Sequence, residues 1–136
     1  MEKKVIYDCV TFFQENLHMD LRINILKDVV DKFIVCESVF DHRGNEKKIN
    51  FSKYKYPGLE HKIDHIIIKE KLSKNNSPWK NQAIQREYIF KALDDLKDND
   101  YFMFSDPDEI PNPDSLKNLD LKKKFGIFFQ NIYTYK

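Results

Sequence analysis

Apolar positions along the chain follow two periods, and the switches between them mark the elements. Over residues 5–13 β-branched and aromatic side chains run almost unbroken, with Asp8 the single acid. Such a run reads as a central strand covered on both faces. Over residues 20–30 Leu21, Ile25 and Val29 recur every four positions, and Ile23, Leu26 and Val30 widen the stripe. This predicts an amphipathic helix with Asp20 as its N-cap. Residues 33–36 form a short apolar run that stops at Glu37 and Ser38. Strand, helix and strand within about 30 residues are the signature of a parallel sheet.

The pattern then lapses. Residues 40–58 gather Asp41, Arg43, Gly44, Asn45, Lys47, Lys48 and a Pro57-Gly58 turn without any period, which predicts a long loop, and loops of that length usually serve a function or move. Ile66, Ile67 and Ile68 within residues 65–69 predict a third strand. Ser77-Pro78 is a strong helix start, serine at the N-cap and proline at the first helical position. That helix is expected to reach about Leu96, burying Ile89, Ala92, Leu93 and Leu96, while its first turns present Trp79, Asn81, Gln82, Gln85 and Arg86. A fourth strand over 101–105, a short helix over 114–119 and a fifth strand over 126–135 complete the expectation. On the fifth strand Ile127, Phe129, Asn131, Tyr133 and Tyr135 would share one side. The fold class is α/β, an open and mostly parallel sheet flanked by helices.

Composition narrows the function classes. With 136 residues the chain is a single domain with a real core, and 41% hydrophobic with 14% aromatic content separates it from disordered chains despite 33% charged residues. The 23 basic and 22 acidic residues nearly cancel, so no global field draws the protein to nucleic acid or to an acidic membrane. Cys9 and Cys36 fall in apolar runs, where cysteine behaves as a small hydrophobe, and neither C-x-x-C nor a zinc spacing occurs. No apolar run approaches the ~20 residues that span a bilayer. The start Met1-Glu2-Lys3-Lys4 leads into too short an apolar stretch for a signal peptide. A soluble, cytoplasmic protein is the expectation.

The chemistry concentrates at Tyr-Phe-Met-Phe-Ser-Asp-Pro-Asp-Glu-Ile-Pro, residues 101–111. An apolar strand stops abruptly and delivers Asp106, Asp108 and Glu109 to the edge where an open α/β sheet forms its crevice. Carboxylate oxygens are hard ligands, so Asp-x-Asp there suits Mg²⁺ or Mn²⁺ already carrying phosphate oxygens. Pro107 and Pro111 stiffen the loop on either side. The same residues would also make an ordinary solvated acidic turn.

Taken with this string, Tyr7-Asp8 with Phe12-Phe13 and Glu15, then Leu21-Arg22, Val29-Val30-Asp31, Glu37-Ser38, Gly44 with Lys47, and Trp79 with Asn81 and Arg86 make the chain resemble glycosyltransferase family 17. That is the family of the β-1,4-mannosyl-glycoprotein β-1,4-N-acetylglucosaminyltransferases, and the resemblance covers nearly the whole chain. It departs at Pro107, where a small aliphatic residue is expected. The resemblance implies a GT-A-like fold, a nucleotide-sugar donor such as UDP-N-acetylglucosamine, a glycan acceptor, and a divalent metal, Mn²⁺ or Mg²⁺, between the acids and the pyrophosphate. It gives Asp106 to the ribose or the metal and Asp108 to the metal, with Glu109 taking part or fixing the loop. Arg86 stands near the pyrophosphate, pairs with Asp106, or is a surface arginine. Lys47 reaches phosphate or is solvated. Glu37 and Asp8 contact nucleobase or ribose, unless Asp8 is a buried structural acid. Trp79 is an acceptor-sugar platform or, preferred here, a core filler. Family members continue beyond the fifth strand, so residues 1–136 read as a single, C-terminally incomplete donor-binding half, with the catalytic base in the remainder.

Two alternatives compete. One is a glycosyltransferase-like fragment that binds metal and nucleotide but transfers nothing. The other is a haloacid-dehalogenase-like phosphatase, which needs its acidic strand near the start of the domain and a downstream lysine and acids. The 25 residues after Pro111 leave no room for those.

Overall fold

The structure is a computed structural model that describes residues 4–117, 119–120 and 126–127. Among these, β1 (Ile6–Phe12), β2 (Lys32–Ser38), β3 (Ile63–Ile68) and β4 (Tyr101–Phe104) form one sheet in the order β3-β2-β1-β4, parallel throughout. The helices are α1 (Asn16–Leu26), α2 (Pro78–Ile89) and α3 (Pro113–Lys117). This is the expected Rossmann-like α/β architecture. No helix among the described residues is long and apolar enough to cross a membrane.

The period-2 geometry of β1 explains its unbroken apolar run, because both faces are covered. Ile6, Val10 and Phe12 pack with Met19, Ile23 and Leu26 of α1, whereas Tyr7 and Cys9 pack with Ile34, Cys36 and Ile89 on the α2 side. Cys9 and Cys36 are free thiols, and burial pushes each up to about 12, so both stay protonated and inert.

Three expectations are corrected. First, α1 begins at Asn16, a turn before Asp20. Asp20 accepts a hydrogen bond from the Tyr56 hydroxyl instead of capping the helix. Its buried face is Met19, Arg22, Ile23 and Leu26, while Leu21 and Ile25 face outward. Second, α2 starts as expected, with Ser77 Oγ accepting from Lys80 N at 3.2 Å. It ends at Ile89 and tightens into a 3-10 turn over Phe90–Leu93, with Ala92 and Leu96 only partly buried. Third, β3 starts at Ile63, two residues before the expected strand. The short third helix is found as α3. The fifth strand expected over 126–135 lies outside the described residues apart from 126–127.

The long loop is folded onto the sheet. Phe40 and Glu46 form an isolated antiparallel bridge, Asp41 Oδ1 accepts from Arg43 N and Asn45 N at 2.9 Å, and Gly44 turns at φ +87°. Phe51 is buried against Phe12, with ring centroids 5.5 Å apart. What holds the loop is Glu37 at the end of β2, itself 0% exposed. Its carboxylate accepts from Asn50 N (2.7 Å), Phe51 N (3.1 Å), Lys47 Nζ (2.8 Å) and His65 Nε2 (3.1 Å). Burial works to raise Glu37, but the bonds from His65, Lys47 and the two amides outweigh it and hold the group below its ordinary value.

A Glu37 group with a depressed native value stabilises the fold above the ordinary carboxylate value of 4.5, and that contribution disappears as pH falls below it. Urea midpoints should therefore drop on acidification below that value. Glu37→Gln should be less stable at neutral pH and should flatten this part of the profile. Gly44 offers a separate check, since a Cβ there would meet Leu72 O at 2.6 Å, whereas Gly58, at φ +83°, has open space. Gly58→Ala should cost about 1–2 kcal/mol for conformation alone, and Gly44→Ala clearly more, as read by chemical denaturation.

Candidate functional site

The strand order runs β1, β2, β3 to one side and returns to place β4 on the other side of β1. The reversal at β1 and β4 is the switch point where open α/β sheets bind ligands, beyond the carboxyl ends of the strands. Register sets Cys9 beside Phe104, so β4 ends there and Ser105 opens the acidic loop. Asp106, Asp108 and Glu109 can each bring one carboxylate oxygen within 4.8 Å of the others. Asp106 is partly buried and the other two are exposed.

The loop owes its shape to Arg22, which in the sequence stands only among the residues that carry the family resemblance. Arg22 projects from the core face of α1 and is 0% exposed. Its Nε and Nη2 donate to Asp8 Oδ2 (2.7 Å) and Oδ1 (2.6 Å), and Nη2 also reaches Ser105 Oγ (2.6 Å). Its Nη1 donates to the carbonyls of Asp106 (3.0 Å) and Glu109 (2.8 Å). A guanidinium has five N–H groups in a rigid fork, and here all five find acceptors. Within the loop, Glu109 N donates to Asp106 O and Asp106 N donates to Glu109 Oε1, both at 2.9 Å. Glu109 thus fixes the turn with one carboxylate oxygen. A signal for Arg22 was present, since an arginine on an apolar helix stripe must find a buried carboxylate, and Asp8 is the only acid in the first strand.

The other candidates separate into two groups. Arg86 Nη2 stands 3.8 Å from Asp106 Oδ1, and its guanidinium lies over the Phe104 ring. It belongs to the acidic cluster, as a half-exposed partner of Asp106. Asp8, Glu37 and Lys47 are paired within the protein. Asp8 is 1% exposed with both oxygens on Arg22, the arrangement of a buried structural acid. Glu37 is consumed by the loop as described. Lys47 binds Glu37 and Lys48 O and covers the Phe13 ring. Burying a charge demands a partner, and here each partner is another part of the protein. Trp79, preferred as a core residue, is 79% exposed.

Asp106 is raised above the ordinary carboxylate value. Burial is the main cause, the Glu109 charge adds to it, Arg86 opposes it, and Asp108 and Glu15 contribute. Crowded carboxylates with too little compensating charge gain from a cation placed among them. Three hard oxygen donors from one rigid loop fit Mn²⁺ or Mg²⁺, with Asp108 and Glu109 open to approach.

Residues 1–130 match the family model described as Glycosyltransferase family 17. The chain is 29% identical over 112 residues to the β-1,4-mannosyl-glycoprotein 4-β-N-acetylglucosaminyltransferases of Homo sapiens and Rattus norvegicus, and 28% to that of Mus musculus. Each match takes in 76% of this chain and 21% of the relative, so the chain spans about a fifth of the length of the curated relatives it matches. No solved structure matches.

Arg22→Met should cost about 3–5 kcal/mol in urea denaturation, because it strands the Asp8 carboxylate in the core. Adding Asp8→Asn should recover part of that loss. Equal stability of Arg22→Met and the unsubstituted chain would show that the pair does not hold the loop.

Proposed function

Because the chain belongs to glycosyltransferase family 17, we propose that it forms the donor-binding part of a GT-A-like glycosyltransferase. It takes a UDP-sugar, N-acetylglucosamine by analogy with the relatives' names, for transfer to a glycan acceptor. The observation that carries this reading is the cluster of Asp106, Asp108 and Glu109 at the β1/β4 switch point, locked from behind by Arg22.

Asp106 and Asp108 are the residues that would hold Mn²⁺ or Mg²⁺, with the free oxygen of Glu109 as a third donor. A bound divalent ion supplies Lewis-acid neutralisation of the charge that builds on a departing nucleoside diphosphate. The protein's own part is preorganisation. Arg22 fixes two carbonyls of the loop, so the carboxylates are gathered before any ligand arrives. Arg86, at 3.8 Å from Asp106 and half exposed, is free to turn from that carboxylate toward a phosphate oxygen when the cluster gains a cation. The crevice above β1 and β4 receives the nucleotide, and the buried Asp8 and Glu37 keep its floor and its neighbouring loop in place.

Calorimetric titration of UDP and UDP-N-acetylglucosamine should show binding with Mn²⁺ that EDTA removes. Asp108→Ala should abolish the metal-dependent binding while leaving the thermal transition within a few degrees, since Asp108 is exposed. Unchanged binding in that variant would refute the site. Metal-dependent binding without sugar transfer is the outcome expected of a part that binds the donor only.

A further inference from the structure

We propose that Trp79 is the platform on which a sugar ring of the acceptor glycan stacks, an assignment that rests on the glycosyltransferase reading above. Trp79 lies in the first turn of α2, and its side chain is 79% exposed although the backbone beneath it is firmly held. Ser77 caps the turn through Lys80 N. Buried Asn81 donates to His42 O (2.8 Å) and Ser73 O (2.9 Å), and buried Gln85 donates to Cys36 O (3.1 Å) and Phe12 O (3.3 Å). A large aromatic side chain left in water on a rigid frame is an offered surface, because its burial against a ligand costs little backbone ordering.

Helix geometry relates this surface to the acidic cluster. Trp79 and Arg86 are seven residues apart, so they share one side of α2 and are separated by about 10.5 Å along its axis. Arg86 touches Asp106 and lies over Phe104 of β4. The chain enters α2 from the carboxyl end of β3 and leaves it toward the amino end of β4, so the helix start points to the edge of the sheet that carries the acids. Trp79 therefore stands about two helical turns from the residue that borders the cluster, on the approach to it.

An indole beside a small apolar side chain and an amide suits a sugar ring. On the same side of α2 the neighbours of Trp79 are Gln82, three residues on and partly exposed, and Ala83, four residues on and exposed. A pyranose presents an apolar C–H face that an indole covers, and its hydroxyls stay in water.

Trp79 is the only tryptophan in the chain, so its emission reports on its own surface. The full chain is titrated with an N-glycan oligosaccharide containing a β-1,4-linked mannosyl residue, in the presence of Mn²⁺ and UDP. Emission should change on binding, and acrylamide quenching should fall. By calorimetry Trp79→Ala should bind the oligosaccharide about tenfold more weakly, with Mn²⁺-dependent UDP binding unchanged and Trp79→Phe restoring most of the affinity. A chain that binds UDP with Mn²⁺ but shows no Trp79-dependent oligosaccharide binding overturns the platform alone. So does a Trp79→Ala variant that loses UDP instead of the sugar. A chain that binds neither UDP nor oligosaccharide overturns the donor reading and the platform with it.

Discussion

A fully buried guanidinium facing a fully buried carboxylate is the constraint from which this molecule is organised. Removing Arg22 and Asp8 from water costs several kcal/mol for each ion, and the mutual attraction recovers this only if every remaining polar group is satisfied. Here every guanidinium N–H has an acceptor, and three of the five contacts are to Ser105 and to the carbonyls of Asp106 and Glu109. The acids therefore stand where core electrostatics puts them. Strand β1 supplies Asp8, helix α1 supplies Arg22, and the loop after β4 completes the shell. The shape of the surface site is in this sense a property of the interior.

Glu37 repeats the device at the end of β2. Two carboxylates of the sheet, Asp8 within β1 and Glu37 near the end of β2, are turned inward and neutralised, one by α1 and one by the loop after β2 together with His65 of β3. What remains facing outward at the switch point is the acidic triplet, whose ion pair with Arg86 is long at 3.8 Å and half exposed. Net charge over the whole chain is only +1, yet three carboxylates crowd this one edge, and Asp106 is raised by its burial first and by the Glu109 charge second. Local crowding of like charge in a nearly neutral protein is what a divalent cation relieves.

The same economy separates structural from functional polar groups along α2. Asn81 and Gln85 are buried and bind four backbone carbonyls, in β1, β2 and the loops after β2 and before α2. Trp79 and Arg86, on another side of the helix, are exposed. One helix thus welds the top of the sheet together with its polar residues and offers an aromatic ring and a cation to whatever approaches the acids.

Much of this was legible in the sequence. The unbroken apolar run around Asp8, the Ser77-Pro78 start and the abrupt stop before Asp106 each define an element by local chemistry alone, and the acidic string with its companions carried the family. Sequence left undecided which residues look inward. On α1, Leu21 and Ile25 have the same four-residue spacing as Met19 and Ile23, and the choice fell to the stripe that contains Arg22 because only that stripe brings the guanidinium to Asp8. Asp8, Glu37 and Lys47 carry the charges a ligand site would carry, and Trp79 the apolar surface a core would use. A residue's type determines what it can bind, but whether its partner is a ligand or another part of the chain depends on contacts between segments tens of residues apart. Those contacts exist only once the sheet has closed around them.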